Sequence, residues 1–190
     1  MTRVTRRTVI AASLAAACLS VIVGVRLSAT TLTHEAPGPE HARLIAMAGT
    51  WDAEFTLWPR PGGPALGTKA TSTIRAILGG TFIEETIEGT LMGAPFMTKA
   101  WTGYNTDTHR YEAMRISSTN TARIAETGTY DEKTRQFELK ADYLLGGDTW
   151  HQRTVIQQSS PDAMTATSYL SFGTVPEWKG AEIKYTRRSQ

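Results

Sequence analysis

Three glutamates, Glu84, Glu85 and Glu88, fall close together in a run from Phe82 to Leu91 that is otherwise β-branched, apolar or small. In an extended chain successive side chains point to opposite faces, so Glu84 and Glu88 share one side and Glu85 takes the other. Whichever side is internal carries a carboxylate, and a buried carboxylate is costly unless paired. Arg75, Arg115 and Arg153 lie on other runs and could supply the pairing. Such a pair could hold a polar head group, or act as general acid and base with a displaced pKa. A solvated edge would need neither role. Glu84 and Glu85 are the carboxylate candidates for catalysis, and His151 is the third. It follows Trp150 in an extended run, so one of the two faces inward, where His151 could anchor a ligand or serve as an axial haem ligand. A single strand histidine does not make a haem site, and His109, beside Asp107, reads as a surface turn residue.

Other chemistry is excluded. The sequence has no G-x-S-x-G, phosphate loop, Rossmann glycine fingerprint or H-E-x-x-H. The one cysteine, Cys18, lies near the N-terminus, which removes cysteine catalysis and thiolate metal sites from everything after it. His34 and His41 are separated by Pro37-Gly38-Pro39, which holds no fixed register for a metal. The expectation is therefore no metal and no cofactor. Rigid aromatic area is plentiful, and Phe55, Trp101, Trp150 and Tyr185, with the cation Arg115, are the candidates for lining a ligand site.

The first 29 residues carry Arg3, Arg6, Arg7 and Arg26, no acid, and an apolar Ala-rich run from Val9 to Val25. This is the pattern of a signal peptide, and Arg6-Arg7 resembles a twin-arginine export signal. If uncleaved, the run is at the lower edge of the roughly 17 to 25 residues that span a bilayer and would be the only membrane contact. Ala15 to Cys18 has some features of a lipidation box. Setting the four arginines aside turns a net charge of +2 into −2, so the remainder has no electrostatic footprint for nucleic acid. The expected location is the periplasm or cell envelope. Residues 30–40 read as a linker and 41–190 as one domain. Oligomeric state is not legible.

The elements that must position these groups change at Gly49. Glu40 to Ala48 has near-helical apolar spacing and predicts one short helix stopped by Gly49. Thereafter the period is two. Trp51, Ala53, Phe55 and Leu57 alternate with Asp52, Glu54 and Thr56, and the loop Pro59 to Gly67 follows. Strand-like runs then cover Thr68 to Leu78, Phe82 to Leu91, Pro95 to Asn105, His109 to Thr119, Arg123 to Asp131, Phe137 to Tyr143, Thr149 to Gln158, Ala163 to Phe172 and, after a loop around Pro176, Ala181 to Arg188. Links this short favour antiparallel neighbours, and no helical crossover interrupts them. The expected class is all-β: an antiparallel up-and-down meander of about ten strands, closed into a barrel because closure removes both edges. A two-sheet sandwich would need a long crossover, and no connection after Leu66 is clearly long enough.

Gly49-Thr50-Trp51 at the start of the first strand resembles the Gly-x-Trp signature of lipocalins and their calycin relatives. The resemblance implies that Trp51 closes the barrel floor under a basic residue of the last strand, where Arg187 or Arg188 stands. Further segments extend it: Ile77-Leu78-Gly79-Gly80-Thr81-Phe82-Ile83, Gly89 through Phe96, Thr102-Gly103-Tyr104-Asn105, Thr127 through Asp131 and Ile183-Lys184-Tyr185-Thr186-Arg187. In this order they resemble the bacterial family DUF1579, with Asn105 in place of the family's usual Asp. That resemblance implies a lipocalin-like barrel and brings no established reaction or ligand.

Three functions fit these expectations. The first is an envelope barrel that binds or carries a small hydrophobic molecule. The second is an enzyme of isomerase, cyclase or hydrolase type that uses an internal carboxylate on a hydrophobic substrate. The third is an interaction protein whose barrel is filled by its own side chains.

Overall fold

The computed structural model describes residues 36–189; the leader, Cys18 and His34 lie outside the described residues. A single short helix, α1 (Pro39–Ile45), opens the described chain. Pro39 enters its first turn, where a missing N–H costs nothing. The Gly38 N–H donates to His41 Nδ1 at 3.1 Å. Sequence spacing placed this helix over Glu40 to Ala48; it ends earlier because Met47 and Ala48 donate to the carbonyls three residues back, which tightens the last turn. Leu44 and Met47 are buried, so the apolar side of the helix meets the end of the barrel.

Ten strands follow: β1 (Gly49–Leu57), β2 (Leu66–Ile77), β3 (Phe82–Leu91), β4 (Ala94–Asn105), β5 (Arg110–Ser117), β6 (Ile124–Asp131), β7 (Gln136–Leu145), β8 (Asp148–Ser160), β9 (Ala163–Phe172) and β10 (Val175–Arg187). Each pairs antiparallel with its neighbours in sequence, and β10 returns to β1 from Trp51↔Arg187 to Leu57↔Ala181, closing the barrel. Local chemistry sets the corners. Between β7 and β8, Gly146 and Gly147 both take positive φ (64° and 92°), as a two-residue hairpin turn matching strand twist requires.

The last strand corrects the sequence reading. A loop was expected around Pro176, yet the chain is already extended at Val175 and runs on as β10. Two register shifts, between Val175 and Trp178 and between Lys179 and Ala181, carry the irregularity. The first of them spans Pro176, a residue that has no N–H to give the ladder.

The end of the barrel beside α1 is sealed. Trp51 has no exposed surface, and its indole N–H donates to the Met47 carbonyl at 3.0 Å. The Arg187 guanidinium covers the ring at 4.1 Å and donates to the carbonyls of Ala46, Ala48 and Pro161. Arg188 instead pairs with Asp52. A Cβ on Gly49 would sit 2.3 Å from Arg187 Nη1, so glycine is the residue that leaves room for this seal. Across the same end Tyr111 packs edge-on against Phe137 at 4.8 Å and tilted against Tyr104 at 5.0 Å. Arg43 of α1 ties the helix down by donating to the Tyr111 hydroxyl at 3.4 Å and pairing with Glu132.

Candidate functional site: the lumen cavity

Strand pairing settles which face is internal. Glu85 on β3 stands opposite Ile74 on one side and Ala100 on the other, and Ala100 stands opposite Arg115 on β5. On β6, Glu126 is opposite Ala113, a core residue. The two-residue period then sends Glu85, Arg115 and Glu126 into the lumen and Glu84 and Glu88 outside.

These three charges share one polar belt across the barrel. Arg115 Nη2 lies 3.3 Å from Glu126 Oε2. The other oxygen, Oε1, accepts from the Thr154 hydroxyl at 2.7 Å and the Gln152 amide at 3.1 Å. Gln152 Oε1 in turn accepts from the Tyr143 hydroxyl at 3.3 Å. Although the guanidinium is close, Glu126 Oε2 has no well-aimed donor, and among the described residues it is the only buried side-chain oxygen or nitrogen without a hydrogen bond. Glu85 Oε1 accepts from Ser72 at 2.7 Å, and the Tyr185 hydroxyl lies against the same carboxylate.

Electrostatics follow from this arrangement. The Glu126 carboxylate, more than any other group, raises the Arg115 pKa, with Glu85 adding to it against the cost of burial, so the guanidinium stays charged. Burial first, and then the Glu85 charge, pushes the Tyr185 phenol well above the usual tyrosine range. Burial, followed by the Glu126 charge, raises Tyr143 as well. Both phenols are therefore neutral hydrogen-bonding groups at neutral pH.

Beside the belt is a cavity of about 190 Å³. Its wall is mainly aliphatic and aromatic, including Phe55, Ile74, Ile87, Phe137, Leu139 and Ile183, and its polar patch is formed by Glu85, Arg115, Tyr185, Thr154 and Ser168. Arg115 lines the cavity, and 26% of its side-chain surface is accessible. An apolar cavity of about 150 Å³ takes one benzene. The space here suits a body of that order with one polar end.

The sequence candidates divide by place. Glu85, Arg115, Phe55 and Tyr185 all line the cavity. Trp150 has the inward register but sits toward the end away from α1. There its N–H donates to the Leu145 carbonyl, and its ring stacks on Phe172 at 4.4 Å. Trp101 is on the outer face, where its N–H donates to Glu84 Oε2 at 3.0 Å, placing Glu84 outside too. His151 is also outside, with Nδ1 2.7 Å from Asp142 Oδ1 and 56% of its side chain exposed. Arg75 is exposed, and Arg153 is bound on the outer face by Glu177. Trp51 and Arg187 form the sealed end and do not touch the cavity. Sequence reasoning missed Glu126, Gln152, Thr154 and Tyr143. The available signal for Glu126 was its spacing of four from Tyr130, which puts both on one face of β6. Among the described residues no group of three or more His, Cys, Asp or Glu is placed to hold a metal ion.

The fold is similar to that of two solved proteins. One is the S-type phycobiliprotein lyase CPES of Guillardia theta, at 12% identity and TM-score 0.55, covering 81% of this chain and 99% of that one. The other is Rv2717c of M. tuberculosis, at 13% identity and TM-score 0.59, covering 80% of this chain and 99% of that one. No curated protein matches the chain. Residues 36–187, the whole barrel with its capping helix, match the family described as "Protein of unknown function (DUF1579)", and the chain belongs to that family.

Proposed function

We propose that the protein is a cell-envelope barrel that binds one small molecule, with an apolar body against the lumen wall and a polar end against the Glu85, Arg115 and Tyr185 patch. The observation that carries this reading is the cavity itself, a mostly apolar space with one cluster of convergent polar groups. The lumen is not filled throughout by side chains, which is what the interaction-protein alternative required. A barrel of similar fold in a phycobiliprotein lyase supports a small-molecule role. The envelope location rests on the leader, with its paired arginines and apolar run.

The test uses the full chain, 1-hexanol as probe and a lumen-filling variant. Ala100 lies between Glu85 and Arg115 and lines the cavity, so Ala100→Phe puts a ring into the binding space. Wild type should show saturable binding of 1-hexanol by calorimetry, and the folded variant should show none. Equal binding by both, or none by wild type, contradicts the reading. A second reading, acid–base catalysis on such a ligand, is favoured by the position of the Glu85 carboxylate on the cavity wall. It predicts that Glu85→Gln abolishes turnover; turnover surviving in that variant rejects it.

A further inference from the structure

We infer that the cavity selects a ligand whose polar end is a cation, an amine on a small apolar body, and rejects one ending in a carboxylate. The inference rests on the binding reading above and adds the charge class of the ligand.

Among the described residues that line the cavity only Glu85 and Arg115 are charged, and Glu126 is paired with Arg115. One guanidinium therefore serves two carboxylates. Its closer partner is Glu126, whose side chain is fully buried, so the charge of the guanidinium is already balanced by one anion. Glu85 has a serine hydroxyl and a phenol as hydrogen-bonding neighbours, but among the described residues no cation of its own at ion-pair distance. The phenols of Tyr143 and Tyr185 are neutral, so they do not change the balance.

A carboxylate ligand would make three anions around one cation inside a low-dielectric barrel, where like charges repel strongly. An ammonium ligand would bring two cations to two anions. Acceptors for its N–H groups are in place: the Glu85 carboxylate, with Thr98 and Thr102 on the cavity wall two residues either side of Ala100, which faces Glu85. These hydroxyls are diagonal neighbours of the carboxylate, within reach of one bound group. Arg115 would then remain the partner of Glu126. A neutral alcohol should fall between the two, since it can donate to Glu85 without balancing its charge.

The experiment compares n-hexylamine, 1-hexanol and hexanoate, matched in size, by calorimetry with the full chain at neutral pH. The amine should bind at least tenfold more tightly than hexanoate, with the alcohol between them. In Glu85→Gln the amine should lose its advantage over the alcohol measured in the same variant, and circular dichroism shows whether that variant keeps the wild-type fold. Hexanoate binding as tightly as the amine overturns the inference while leaving the binding reading standing. So does an amine preference that survives Glu85→Gln, which would place the amine elsewhere on the surface. If none of the three probes binds, the binding reading and this inference fail together. The wild-type order decides alone if the variant does not fold.

Discussion

Two arginines of the barrel strands are used in opposite ways. At the sealed end Arg187 lies over the Trp51 ring and donates to three backbone carbonyls, and its carboxylate neighbour among the described residues is the exposed Asp162, at 3.4 Å. In the middle of the lumen Arg115 faces a cavity, shares two carboxylates and leaves Glu126 Oε2 without an aimed hydrogen bond. The first arrangement is satisfied within the fold. The second is a polar network left incomplete next to empty space, which is what a ligand site needs and a core does not. The difference separates residues that hold the barrel closed from those available to a guest.

Substitutions at the two ends should keep these roles apart. The largest losses are expected from Trp51→Ala and Arg115→Met, about 3 to 5 kcal/mol each by chemical denaturation, for different reasons. The first removes a large packed side chain. The second strands the buried Glu126 carboxylate and the half-buried Glu85, so adding Glu85→Gln and Glu126→Gln to it should recover most of the loss, whereas no such repair exists for Trp51→Ala. A triple variant as unstable as Arg115→Met alone would show that packing, not charge, holds the belt.

Arg187→Met should cost about 2 kcal/mol, the scale of a desolvated cation–π contact, and leave 1-hexanol affinity unchanged. A large loss of affinity in that variant would join the two regions that the structure separates. The smallest expected effect is alkaline. Because burial raises the folded-state pKa of Tyr185 above its unfolded value of about 10, folding holds its proton more tightly. That contribution is complete below the unfolded pKa and is lost as pH rises toward the folded value. The melting temperature should therefore fall above about pH 10, and Tyr185→Phe should flatten the fall. Identical alkaline profiles would remove Tyr185 as its cause.

The meander and its closure were readable because short turn signals recur and no α-helix interrupts them. Gly146-Gly147 marks a corner, and Trp51, Ala53 and Phe55 alternate cleanly against Asp52 and Glu54. The face of a strand was readable only where apolar residues are inside and polar ones outside. On β5 that contrast inverts: Arg115 is internal, while Met114 and Ile116 are 40% and 44% exposed. A period of two separates these residues but does not say which side is the lumen. The same ambiguity hid Glu126, whose burial depends on partners from β5 and β8, and it made Trp101 look internal although its N–H is satisfied by Glu84 on the outer face. Pro176 misled for a local reason, since a proline that usually ends a strand is accommodated here by register shifts.

The central claim, that the polar belt and the cavity beside it form one binding site, is tested most directly by a crystal structure with 6-bromo-1-hexanol, using the anomalous signal of bromine to find the chain end. Density inside the barrel, with the hydroxyl within hydrogen-bond distance of Glu85 or Arg115 and the bromine among Phe55, Ile87 and Ile183, is the predicted result. Bromine found only on the outer surface, with the lumen unchanged at saturating ligand, would contradict it.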